Sequence, residues 1–134
     1  MRAISLAEAN KIIEGTFASA KKRKAYALAA IVLDAGGRVK SFQKQKEKPA
    51  FMASLAELSD GPLFLEGGGQ LIRDKSGEVV GALGVTGDVN EIDDLCAMDG
   101  IRAGGYLPDD DFSPADVRRL NIKKDPPLRD PRKK

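Results

Sequence analysis

Two groups of residues carry side chains and backbone suited to chemistry. One is a carboxylate followed by three glycines, Glu66-Gly67-Gly68-Gly69; the other is a carboxylate and a thiol three positions apart, Asp93 and Cys96. A glycine run presents bare backbone amides that can face an anion or a substrate carboxylate. Positions i and i+3 are neighbours on a helix, so Asp93 would act as base or hydrogen-bond acceptor beside a Cys96 thiol touching substrate. Removing a proton next to a carbonyl needs such a carboxylate and an oxyanion donor. Glu66 or Asp93 is then the base, and the glycine amides or Arg38 are the donors. Each feature also has a plainer reading: a turn or bulge for the glycines, a small core residue for Cys96, a surface or capping group for Asp93.

The sequence contains no histidine. That excludes Ser-His-Asp and Cys-His catalysis, ordinary zinc sites and a histidine-ligated haem from this chain alone. Cys96 is the single cysteine, so no internal disulfide can form, and a reducing, cytoplasmic setting is expected. Asp109-Asp110-Asp111 lacks the alternating ligand spacing of a calcium loop, and no metal site is expected. The longest apolar run, Ala25 to Leu33, is far shorter than the ~20 residues of a membrane helix. Met1-Arg2-Ala3 leads straight into a polar helix, so no signal peptide is expected.

The elements that position these groups read as follows. Ser5-Leu6-Ala7-Glu8 is a capping box, and Leu6, Ala9, Ile13, Phe17 and Ala20 form a helical stripe, predicting a helix over 5–22. Tyr26 to Leu33 reads as a strand covered on both faces, with a glycine turn at 34–37 and a more polar edge strand from Arg38 to Gln43. Ala50 to Leu58 suggests a short helix, and Leu63-Phe64-Leu65 a strand leading into the glycine run. Gln70 to Arg73 and Glu78 to Thr86 make a second hairpin, with Val79, Leu83 and Val85 on one face. Asp88 with Glu91 resembles a capping box for a last long helix, on which Met98 and Ile101 lie away from the main apolar face. Ser113-Pro114 starts one or two helical turns.

The organisation is one α+β domain over residues 1–106 and a polar basic arm over 107–134. From Arg118 onward there are eight Lys/Arg against two Asp, a balance of +6, while the preceding residues carry 14 basic and 18 acidic side chains, a balance of −4. The arm holds no aromatic residue interleaved with its cations and no reader motif, so nucleic acid is not an expected partner.

Residues 31–37 with Phe42, and the stretch from Gly67 through Gly81-Ala82-Leu83-Gly84-Val85-Thr86-Gly87 to Asp93, Cys96-Ala97 and Gly100-Ile101, resemble the GlcG/HbpS family. The resemblance covers most of residues 5–104; Asp88 and Gln70 depart from its usual pattern. It implies a profilin-like fold, an antiparallel sheet flanked by helices, assembled as dimers or larger rings. It further implies a small-molecule pocket near Arg38, Glu66, Gly67, Gly68, Gly69, Thr86, Asp93 and Cys96. Haem or another tetrapyrrole is the ligand implied, with Tyr26, Tyr106, Met52, Met98 and Cys96 as the conceivable axial side chains. A small cofactor-independent lyase or isomerase acting on an organic acid is the alternative, and a non-catalytic interaction module a further one. For partners, the helix apolar on two sides predicts a homodimer or multiple of dimers, with residues 89–103 in the interface and the arm crossing it.

Overall fold

In the computed structural model, which describes residues 3–45, 69–124 and 127–133, Ser5 opens the first helix as its composition predicts. Its hydroxyl accepts the Glu8 amide at 3.1 Å, and the Glu8 carboxylate takes the Ser5 amide at 2.8 Å. Helix α1 runs Leu6–Lys22 and ends on Lys21 and Lys22, cations that suit a helix C-terminus. Its inward side is Ala9, Ile12, Ile13, Thr16, Ser19 and Ala20, whereas Leu6 is exposed and Phe17 half-buried. The buried stripe is therefore rotated from the expected one, because α1 packs against a second helix as well as against the sheet.

Strands β1 (Ala29–Asp34) and β2 (Val39–Lys44) form the first hairpin, and β3 (Gly69–Arg73) and β4 (Val79–Thr86) the second. Each turn is built on an aspartate: Asp34 accepts the amides of Gly36 and Arg38, and Asp74 those of Ser76 and Glu78. The order β2-β1-β4-β3 is antiparallel throughout, which puts β1 and β4 in the middle. Residues 29–32 of β1 are all buried and β2 is an edge among the described strands, as the alternation predicts. Tyr26 lies ahead of the strand and is exposed. On β4 the core valine is Val80 and not Val79, because the register shifts opposite Ile72/Arg73 and resets the alternation.

Helix α2 (Asn90–Ala103) lies beside α1 on the same side of the sheet. Ser41 of β2 bonds Asn10 of α1, and Gln70 of β3 bonds Asp94 of α2. Ser41, Val32, Leu83 and Gln70 form one cross-strand row facing the helices. Ala30, Val32, Ile72, Leu83 and Val85 meet Ile12, Ile13, Ile92, Cys96 and Ile101 in a single core. This is an α+β domain with a four-stranded antiparallel sheet.

Met98 and Ile101 are both buried within the chain, at 4% and 0% exposure. Lying away from the main apolar face thus does not leave them outside: α1 and the core enclose Ile101, and the C-terminal residues beside Met98 reduce its access. The C-terminal segment is tied to its own body. Leu107 pairs with Arg73, and a 3₁₀ turn (Asp109–Asp111) brings Asp109 onto Arg73 and Asp111 onto Arg102. Helix α3 (Pro114–Leu120) starts on the expected Ser113 cap, and Phe112 and Ile122 are buried beside it. Lys124 donates to the carbonyls of Asp110 and Phe112. The predicted helix over 50–58 and strand over 63–65 lie outside the described residues.

The two helices approach closely because small residues stand at the crossing. A Cβ on Gly100 would collide with Thr16 Oγ1 and come within 2.6 Å of the Ile12 carbonyl oxygen; one on Gly15 would strike Ala103. Gly100→Ala should therefore destabilise the protein by about 2 kcal/mol, despite alanine's better helix propensity. Thermal unfolding should show this as a fall of about 5–10 °C.

Candidate functional site

Most of the candidate residues that the structure describes gather where β4 leaves the sheet. Thr86 pairs with Ala29, and Gly69 pairs with Gly84 two residues earlier, so both lie toward this end. Gly87 follows with φ +142°, and a side chain there would meet the Ala27 carbonyl and Leu28, so glycine alone passes beneath the α1–β1 connection.

Asp88 does not cap α2; the N-cap is Val89, which makes no side-chain bond. Asp88 is turned instead toward the neighbouring segments. It accepts the Tyr26 amide at 2.7 Å, the Val89 amide at 2.7 Å and the Arg132 guanidinium at 2.6 Å. Burial pulls its pKa upward, but Arg132 and the two amides outweigh it and hold the carboxyl below the ordinary aspartate range.

Asp93 reaches back from the first turn of α2 to accept the Asp88 amide at 3.0 Å. It is 2% exposed, and burial pushes its pKa up from 3.8 to about 7, the Asp88 amide opposing and the Asp88 charge adding. A carboxyl titrating near 7 has the strength of a general base, yet this one is enclosed and occupied with the β4–α2 join. Cys96, one turn on, is fully buried in the core, and burial raises its thiol pKa while Ser19 pulls the other way. Arg38 stands exposed at the β1–β2 turn, at the opposite end of the six-residue β1, roughly 16 Å of strand away. Glu66, Gly67, Gly68 and Met52 lie outside the described residues.

The cleft beside Gly69 uses residues the sequence did not single out, Asp94 and Lys124, beside others that it did. Gln70, Asp94, Met98, Asp110 and Lys124 line it with Gly69, around about 120 Å³. Asp94, the next residue after Asp93, is turned ~100° around the helix, which sends it to this cleft and Asp93 into the interior. Its neighbour across the cleft is Gln70, whose side-chain amide donates to it at 3.3 Å. No periodicity distinguishes two adjacent aspartates, and the β3 pairing partner alone reveals which faces out. Among the described residues no helix is long and apolar enough to cross a membrane.

Asp93 gives the protein a predictable pH response. An acid whose folded pKa exceeds its unfolded value stabilises the fold fully below about pH 4 and loses that contribution as pH rises to 7. Stability should thus decline between pH 4.5 and 7.5, by up to ~1.4 kcal/mol per pH unit. Asp93→Asn, which imitates the protonated carboxyl, should flatten that slope in urea unfolding measured across the range.

Comparison with known proteins gives the geometry its relatives. Residues 44–102 match the family model described as haem degrading protein HbpS-like. No curated protein matches the chain. Among solved structures, PduOC in complex with heme superposes with a TM-score of 0.61 at 18% identity, covering 78% of this chain and 97% of that one. The Klebsiella pneumoniae protein ORFY, of the DUF336 family, gives 0.61 at 22% identity over 80% and 94%. HbpS gives 0.53 at 19% identity over 78% and 89%. The chain thus shares its fold with these proteins and is similar to the HbpS-like family through residues 44–102.

Proposed function

We propose that this protein is a homo-oligomeric small-molecule-binding protein of the HbpS type, with haem or another tetrapyrrole as its ligand. The observation that carries the reading is the HbpS-like match over 44–102 in a chain whose fold resembles a protein solved with heme. Of the side chains that could ligate a haem iron, Cys96, Met98 and Tyr106 are buried in the fold. Tyr26 is 72% exposed, so its phenol is the donor that fits among the described residues. The bound group would supply the metal chemistry; this chain's part is to hold its face and edge. The cleft beside Gly69, of about 120 Å³, is small against the ~300 Å³ and more of ordinary ligand pockets, and a second cleft of about 280 Å³ beside Gly104 and Tyr106 comes nearer to that size.

Self-association is supported by the large apolar side chains left outside: Val39 and Phe42 on the β2 edge and Leu71 on β3. These, with Val89, are the natural contact, since α2 spends most of its apolar residues internally. The expected solution mass is at least twice 14.3 kDa by light scattering at low micromolar concentration. Titrated haem should develop a Soret shift that Tyr26→Phe reduces. No shift at tens of micromolar protein would remove the tetrapyrrole reading.

The enzyme reading rests on the base-like Asp93 and the glycine run. Its enclosed carboxyl makes it the second choice, and unchanged turnover of an organic acid in both Asp93→Asn and Glu66→Gln would end it.

A further inference from the structure

Folding joins two basic segments that are a hundred residues apart in sequence. Lys21, Lys22 and Lys24 close helix α1, and Arg129, Arg132 and Lys133 lie in the C-terminal segment; all six are exposed. Arg23 links the segments by bonding Asp130 at 3.1 Å, and Arg132 links them again by bonding Asp88 at 2.6 Å. Between them stands Tyr26, 72% exposed, with the Arg132 guanidinium 5.8 Å from its ring centre. Three described acids nearby are already engaged. Asp88 is fully covered against Arg132, Asp130 is 9% exposed on Arg23, and Asp99 is held by Ser19, Arg23 and Arg102. Lys21, Lys22, Lys24, Arg129 and Lys133 form no ion pair with another described residue, so their charge faces solvent.

We infer that this surface binds single-stranded nucleic acid, with the cations on the backbone phosphates and a base stacked on Tyr26 against Arg132. An exposed aromatic ring among unpaired cations is the combination by which proteins hold single strands without reading sequence. The C-terminal segment has no aromatic of its own; the fold supplies one from the end of α1. A membrane surface would use the charge alone, and an acidic peptide has no planar base to place on the ring.

Tyr26 also enters the haem reading, so the test uses haem-free protein and reads no iron signal. Anisotropy of a labelled 12-nucleotide single strand in 50 mM salt should show binding that weakens with salt. About four phosphate contacts give a log–log slope near −3. Tyr26→Ala, on an exposed side chain, should weaken the single strand about tenfold and leave inorganic polyphosphate unchanged. Lys21→Glu with Lys22→Glu should weaken both, with thermal unfolding showing that each variant folds. Absence of binding, equal loss for polyphosphate and the single strand on Tyr26→Ala, insensitivity to Tyr26→Ala, or a preference for anionic phosphatidylserine vesicles would each overturn the inference. Oligonucleotide binding without a Soret shift would uphold it while removing haem.

Discussion

Everything else in the molecule hangs on how near α1 and α2 can come. Gly15, Gly100 and Gly104 leave no side chain at the crossing, so each helix rests on the other: Gly100 and Gly104 on Ile12 and Thr16, and Gly15 on Ala103. Thr16 returns its hydroxyl to the Ile12 carbonyl and is fully buried without an unmet hydrogen bond. Only at that separation do both helices reach one face of a four-stranded sheet, with Ile12 and Ile13 on one side of the core and Ile92, Cys96 and Ile101 on the other. The same approach brings Ser19, Arg23, Asp99 and Arg102 into one charged cluster at the helix ends.

The join between β4 and α2 is the second fixed point, and two aspartates five residues apart share it with pKa values shifted in opposite directions. Asp88 is kept charged by a guanidinium and amides, while Asp93 is driven toward its neutral form by burial. Their positions explain the difference: Asp88 faces the basic C-terminal segment, and Asp93 faces the core. A charge at Asp88 gives Arg132 its anchor, so the geometry of this turn reaches the far end of the chain.

Much of the fold was legible because local signals there agree with the tertiary outcome. The Ser5–Glu8 box, the aspartate-centred hairpins and the Ser113-Pro114 start are decided within a few residues, and each formed where its chemistry predicts. Misreadings came where a distant partner decides. The Val80 alternation depends on a register shift against β3, and the α1 stripe turns because a helix ninety residues away needs a side of it. Asp88 reads as a cap until Tyr26 and Arg132 are seen beside it. Of the candidate site, the sequence brought Gly69, Thr86 and Asp93 near one another. It could not separate Asp93 from Asp94, nor foresee that Arg38 belongs to the other end of the sheet.

The strand order has a consequence for how such a chain can diverge. Each hairpin closes on itself, and among the described strands the two are joined by the β1–β4 pairing in the middle of the sheet. The stretch from Gln45 to Gly69 therefore spans from one outer edge to the other, and none of the described strand pairings lies within it. Insertion or loss of residues there leaves the register of all four described strands intact. A lineage can thus change the residues between its two hairpins while the helix crossing and the central strand pair stay as they are.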